Sequence, residues 1–62
     1  VKIIKTDNFA RETISDCLIA EKVPAFYADK IVEDLNKRFS GNSSPDYFKA
    51  VEDNYKLYYF DP

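Results

Sequence analysis

Residues Pro24–Ser40 read PAFYADKIVEDLNKRFS, and the placing of apolar residues along them decides the fold. Ala28, Ile31, Val32, Leu35 and Phe39 recur at i, i+3, i+4, i+7 and i+11. At about 100° per residue they gather into one stripe, the mark of an amphipathic helix. Asp29, Lys30, Glu33, Asp34 and Lys37 take the other side. Three pairs four residues apart, Lys30 with Asp34, Glu33 with Lys37 and Asp34 with Arg38, are each worth about 0.2–0.5 kcal/mol. Pro24 suits the first turn, and Gly41, the single glycine, suits the position just past the end.

The flanks of this helix read as strands. Val1–Thr6, VKIIKT, alternates Val1, Ile3 and Lys5 against Lys2, Ile4 and Thr6, and Asp7-Asn8 breaks it. Phe9–Ser15 has no clean period and fits a loop or one helical turn, with Phe9 and Ile14 tucked at the core edge. Asp16–Lys22, DCLIAEK, reads as a second strand, apolar on both faces and so covered on both sides. Cys17 within it reads as a small buried hydrophobe. Val23 sits where it can pack back on the first turn of the helix.

Beyond the helix, Gly41-Asn42-Ser43-Ser44-Pro45 is a run of turn formers. Asp46–Val51 and Tyr55–Phe60 then alternate aromatic and other residues around Glu52-Asp53-Asn54, the pattern of a β-hairpin. With Asp53-Asn54 as the turn, Ala50 faces Leu57 and Phe48 faces Tyr59 beneath the helix stripe. Tyr47, Lys49, Val51, Lys56, Tyr58 and Phe60 take the opposite face, with Tyr47 across from Phe60 and Tyr58 across from Lys49. The expected architecture is therefore one α+β domain over residues 1–62. It is a small, mostly antiparallel sheet of three or four strands with one helix on one face, in the order β-β-α-β-β.

Sixty-two residues lie near the lower limit for an independent core. One cysteine forbids an internal disulfide, and the absence of histidine argues against zinc. Five tyrosines and five phenylalanines are left to compensate, together with self-association, so the expected state is a homodimer. Eleven acidic against nine scattered basic residues offer no basic face for nucleic acid and no dense acidic face to mimic one. The first residues lack the apolar run of about 7–15 that a signal peptide needs, and no stretch of about 20 apolar residues could span a membrane. A lone free thiol suits a reducing cytoplasm.

Catalytic signatures are missing. Without histidine the commonest general base is gone. Asp29 and Glu33, one turn apart, sit among lysines on the polar face, and Ser43 and Ser44 have no partner base. One glycine cannot build a phosphate-cradling loop. The reading is of a protein that is not an enzyme and holds no cofactor and no metal.

Two features point to binding instead. Phe26 falls on the polar side of the helix, where it either packs against Phe9–Ser15 and the loop before the helix or meets a partner. Tyr47, Tyr58 and Phe60 lie on the sheet face that a single helix leaves bare. They serve either strand formation or an interface.

The runs DNFARETISDCLIAEKV, ADKIVEDLN and SGNSSPDYFKAVEDNYKLYYFDP resemble small accessory proteins encoded by bacteriophages and prophages. The shared features are an early strand ending in Asp-Asn-Phe, a helix ending in Leu-Asn, a Ser-Gly loop and a closing Tyr-Lys-Leu-Tyr strand. The departure is Val23-Pro24-Ala25, which opens the helix where a Thr or Ser cap is expected. The resemblance implies a protein of the bacterial cytoplasm that binds and inhibits a host or defence protein. Two alternatives stay open: a dimer that sequesters a nucleotide signal between subunits, and a structural phage component.

Overall fold

The computed structural model describes residues 1–41 and 43–61. Strands β1 (Lys2–Asp7) and β2 (Cys17–Ala20) precede helix α1 (Ala25–Phe39), and strand β3 (Asp46–Val51) follows it. The sheet is antiparallel in the order β2-β1-β3, so the first strand is central. That placing suits its sequence: adjacent Ile3 and Ile4 are both fully buried, one towards each face.

The β1–β3 register sets which face is which. Lys5 lies opposite Phe48 and Ile3 opposite Ala50, whereas Ile4 opposes Lys49 and Thr6 opposes Tyr47. Opposed residues share a face. Phe48 is buried with its ring centroid 6.2 Å from that of Phe39, so the face of Ile3 and Phe48 lies under α1. The face of Ile4, Thr6, Tyr47 and Lys49 is the other one.

The helix forms where the spacing predicts, starting at Pro24, whose carbonyl accepts the N–H groups of Tyr27 and Ala28. Its termination differs from expectation. Gly41 takes no left-handed conformation. Instead Ser40 is extended with its N–H on the Asn36 carbonyl, and the Ser44 hydroxyl donates to the Phe39 carbonyl at 2.7 Å. Lys37 and Arg38 in the last turn complement the helix dipole. Of the three expected ion pairs, Asp34–Arg38 closes, at 3.2 Å, among the described residues.

The stripe is wider than the contact it makes. Ala28 is buried and Val32 and Leu35 are half-buried, but Ile31 and Phe39 stay exposed. The helix packs on β3 and less on β1, with no packing on β2 among the described residues. Asn36 explains the offset. Its side-chain amide donates to the Phe48 carbonyl at 2.9 Å and its oxygen accepts the Phe48 N–H at 2.8 Å. This pair of hydrogen bonds to the outer edge of β3 draws α1 to that side.

The expected hairpin does not form. A turn closes from the Glu52 carbonyl to the Tyr55 N–H, yet residues 55–60 make no strand with β3. The conflict falls at Phe48: β1 holds the inner edge of β3, and Asn36 takes the outer N–H and C=O of Phe48, which the hairpin would have paired with Tyr59. The tail crosses the sheet face away from α1 instead. The Lys49 ammonium stands 5.4 Å from the Tyr55 ring centroid, and Tyr55 and Leu57 are half-buried. The pairings of Ala50 with Leu57, Phe48 with Tyr59, Tyr47 with Phe60 and Tyr58 with Lys49 are all absent. The architecture is α+β with three strands, sheathed by a helix on one face and by its own C-terminal strap on the other.

β2 is shorter than read, and a bulge at Ile19 shifts its register between Ile3↔Ala20 and Ile4↔Leu18. It is covered on neither side: Cys17, Leu18 and Ile19 are exposed, and the buried thiol expected at Cys17 is corrected accordingly. The offset of α1 towards β3 leaves the helix-side face of β2 bare.

Candidate protein-binding site

The residues singled out in the sequence do not gather into one patch. Phe26 is 84% exposed, and its ring lies edge-to-face on that of its neighbour Tyr27, at 5.1 Å between centroids. The alternative of packing against Phe9–Ser15 is thereby removed. Tyr47 lies on the other side of the sheet, opposite Thr6. Thr6 lines a cleft of about 240 Å³ together with Tyr58, so Tyr47 and Tyr58 flank one face. Phe60 ends the strap, its N–H on the Ser15 hydroxyl at 2.9 Å.

Tyr58 has a structural duty that the sequence did not reveal. Its N–H donates to the Asp16 carboxylate at 2.8 Å, and its carbonyl accepts the Asp16 N–H at 2.7 Å. Its hydroxyl donates to the Glu12 carbonyl. Asp16, read as the first residue of a strand, is instead a buried clamp that also accepts from the Tyr55 hydroxyl at 3.4 Å. The bonded residues are about forty apart in the chain, so no local pattern announces them.

Asp7 and Arg11 form the other polar feature. The guanidinium meets both carboxylate oxygens at 2.9 Å, and the Arg11 N–H adds a bond of 2.7 Å. The guanidinium's hydrogen bonds hold the Asp7 carboxyl at about 2, below its ordinary 3.8. The same carboxylate raises the Arg11 pKa. The pair pins the start of the loop between β1 and β2.

Neither feature assembles a nucleophile with a base. Among the described residues there is no group of three or more His, Cys, Asp or Glu side chains placed to hold a metal ion. Among the described residues no helix is long and apolar enough to cross a membrane. A second cleft, of about 410 Å³, is lined by Val1, Ala50, Val51, Glu52, Asn54 and Tyr55. Compared with protein-family models, characterised proteins and solved structures, the chain matches none.

Proposed function

We propose that this protein acts by occupying the surface of another protein. The observation that carries the reading is the distribution of apolar side chains. Among the described residues, four hydrophobic residues form the core, while twelve large ones are exposed. A surface so rich in rings, several held in place by the fold, supplies the rigid aromatic anchors that interfaces favour. With the sequence resemblance, the reading extends to a bacteriophage accessory protein of the bacterial cytoplasm that inhibits a host or defence protein.

Phe26 with Tyr27 on α1, and the strap face that carries Tyr47, Tyr58 and Phe60, are the two contact regions. A nucleotide-sequestering role has less support. No basic side chain lines the larger cleft among the described residues to hold a phosphate.

The test uses the immobilised protein, a bacterial lysate and mass spectrometry. Phe26→Ala and Tyr47→Ala remove exposed rings, so folding should be preserved. Loss of one retained protein from either variant, by the factor of about 30 that a 2 kcal/mol anchor implies, supports the reading. Equal retention by the wild type and the doubly substituted chain overturns it.

A further inference from the structure

We infer that the cleft bounded by β1, the loop before β2 and the C-terminal strap is a binding site for a primary alkylammonium group. Its volume is about 240 Å³, and its charged lining is Asp7, Arg11, Glu12 and Asp16. Asp7 and Arg11 cancel each other. The Asp7 side chain is 3% exposed, and both its oxygens accept from the guanidinium. Glu12 and Asp16 have no cationic partner among the described residues. Lys49 stands against the Tyr55 ring, but it does not line the cleft. The lining therefore carries negative charge that the chain does not balance.

Asp16 supplies the observation that points to a ligand. The residue is 7% exposed, and its Oδ2 accepts both the Tyr58 N–H and the Tyr55 hydroxyl. Its Oδ1 receives no donor among the described residues. No fully enclosed side-chain nitrogen or oxygen there lacks a partner, so Oδ1 keeps access to open space, and Asp16 borders this cleft. A buried carboxylate with one bare oxygen and no counter-charge is costly. A cation entering the cleft removes that cost.

The kind of cation follows from the acceptors. Among the described residues no three His, Cys, Asp or Glu side chains are placed to hold a metal ion. A guanidinium wants two carboxylate oxygens for its fork, and Oδ2 of Asp16 is already taken twice. An ammonium is a compact charge with three donors. Oδ1 accepts one of them, and the Thr6 and Tyr55 hydroxyls in the same lining are acceptors for the others. Ile14 and the Tyr58 ring, also in the lining, suit the alkyl stem. The cleft is smaller than the roughly 300–1,000 Å³ of sites for drug-sized ligands, which is the scale of a side chain or a small amine. The group arrives on a lysine of another protein or on a free amine, with the same chemistry. The inference rests on the cleft alone and stands whether or not Phe26 and Tyr47 contact a target.

Titration of the whole chain with n-butylammonium chloride, followed by residue-resolved NMR, tests it. The expected result is saturable shifts of the Thr6, Glu12, Asp16 and Tyr58 amides at millimolar concentration. Sodium chloride at the same ionic strength should not reproduce them, and n-butylguanidinium should bind more weakly. Asp16→Asn keeps an acceptor for the Tyr58 N–H but removes the charge, so affinity should fall about tenfold or more while the Tyr58 amide stays protected. Should that variant loosen the strap, Glu12→Gln, on an exposed residue, should lower affinity severalfold with the fold unchanged. Two further probes separate the sources. Tighter binding of a capped tripeptide with a central lysine assigns the site to a protein lysine, and tighter binding of butanediamine assigns it to a free amine. No saturable shift, an equal response to sodium chloride or tighter binding of the guanidinium overturns the proposal. Undiminished binding by folded Asp16→Asn, or by Glu12→Gln, overturns it too.

Discussion

Asp7 shows how one side chain ties the fold to pH. Its carboxyl is held at about 2 chiefly by the Arg11 guanidinium, against 3.8 when free. A depressed carboxylate pKa contributes stability that is complete above the free value and disappears as pH falls through the folded one. Acid should therefore weaken the protein between about pH 4 and pH 2 through this pair. Carboxyl titration by NMR should find Asp7 as one of the last groups to protonate. In Arg11→Ala its midpoint should rise towards the ordinary value, and the pair's share of the acid dependence should vanish. Lysine at position 11 should restore little, because a point charge cannot reproduce the two-pronged bond.

The helix is the element whose face was drawn from spacing and whose position was not. Leu35 is half-buried towards the sheet, so Leu35→Ala should cost about 2 kcal/mol, the low end for losing a leucine from a core. Glu33→Ala, exposed on the far side, should cost under about 0.5 kcal/mol. Thermal unfolding of the two variants separates these values. Comparable melting temperatures would mean that the stripe does not hold the sheet. Asn36 belongs to this account too. It borders the stripe, about 40° round the helix from Val32, and the helix is anchored there by two hydrogen bonds to a strand edge rather than by apolar contact alone.

The molecule as a whole is thin, its Cα atoms spanning 35 × 27 × 12 Å, so each face of the sheet needs its own cover. The strap supplies the second cover, and Asp16 fastens it. Asp16→Ala would strand the Tyr58 N–H and should cost about 1–3 kcal/mol. Asn at position 16 keeps an acceptor and should recover much of the loss. Amide exchange reads this directly. Tyr58 and Phe60 should exchange faster in the alanine variant, while the β1 and β3 amides change only as far as global stability falls. Unaltered exchange at Tyr58 would show that the strap is held by its side chains and not by the clamp.

Spacing alone determined the helix, three strands and the α+β class, because amphipathic period and turn residues are local properties. Spacing placed Phe26 on the polar side of the stripe but left open whether it packs on Phe9–Ser15 or faces outward, and tertiary structure leaves it exposed. The fate of Tyr55–Phe60 was decided by tertiary structure. Its alternation suits a strand, but a strand needs free backbone groups opposite it, and β1 holds the inner edge of β3 while Asn36 takes the outer groups of Phe48. The exposure of Cys17, Leu18 and Ile19 was settled the same way, by a helix drawn towards β3. Local pattern states what a segment is able to become. Competition among distant segments for the same edges and faces decides what it does become.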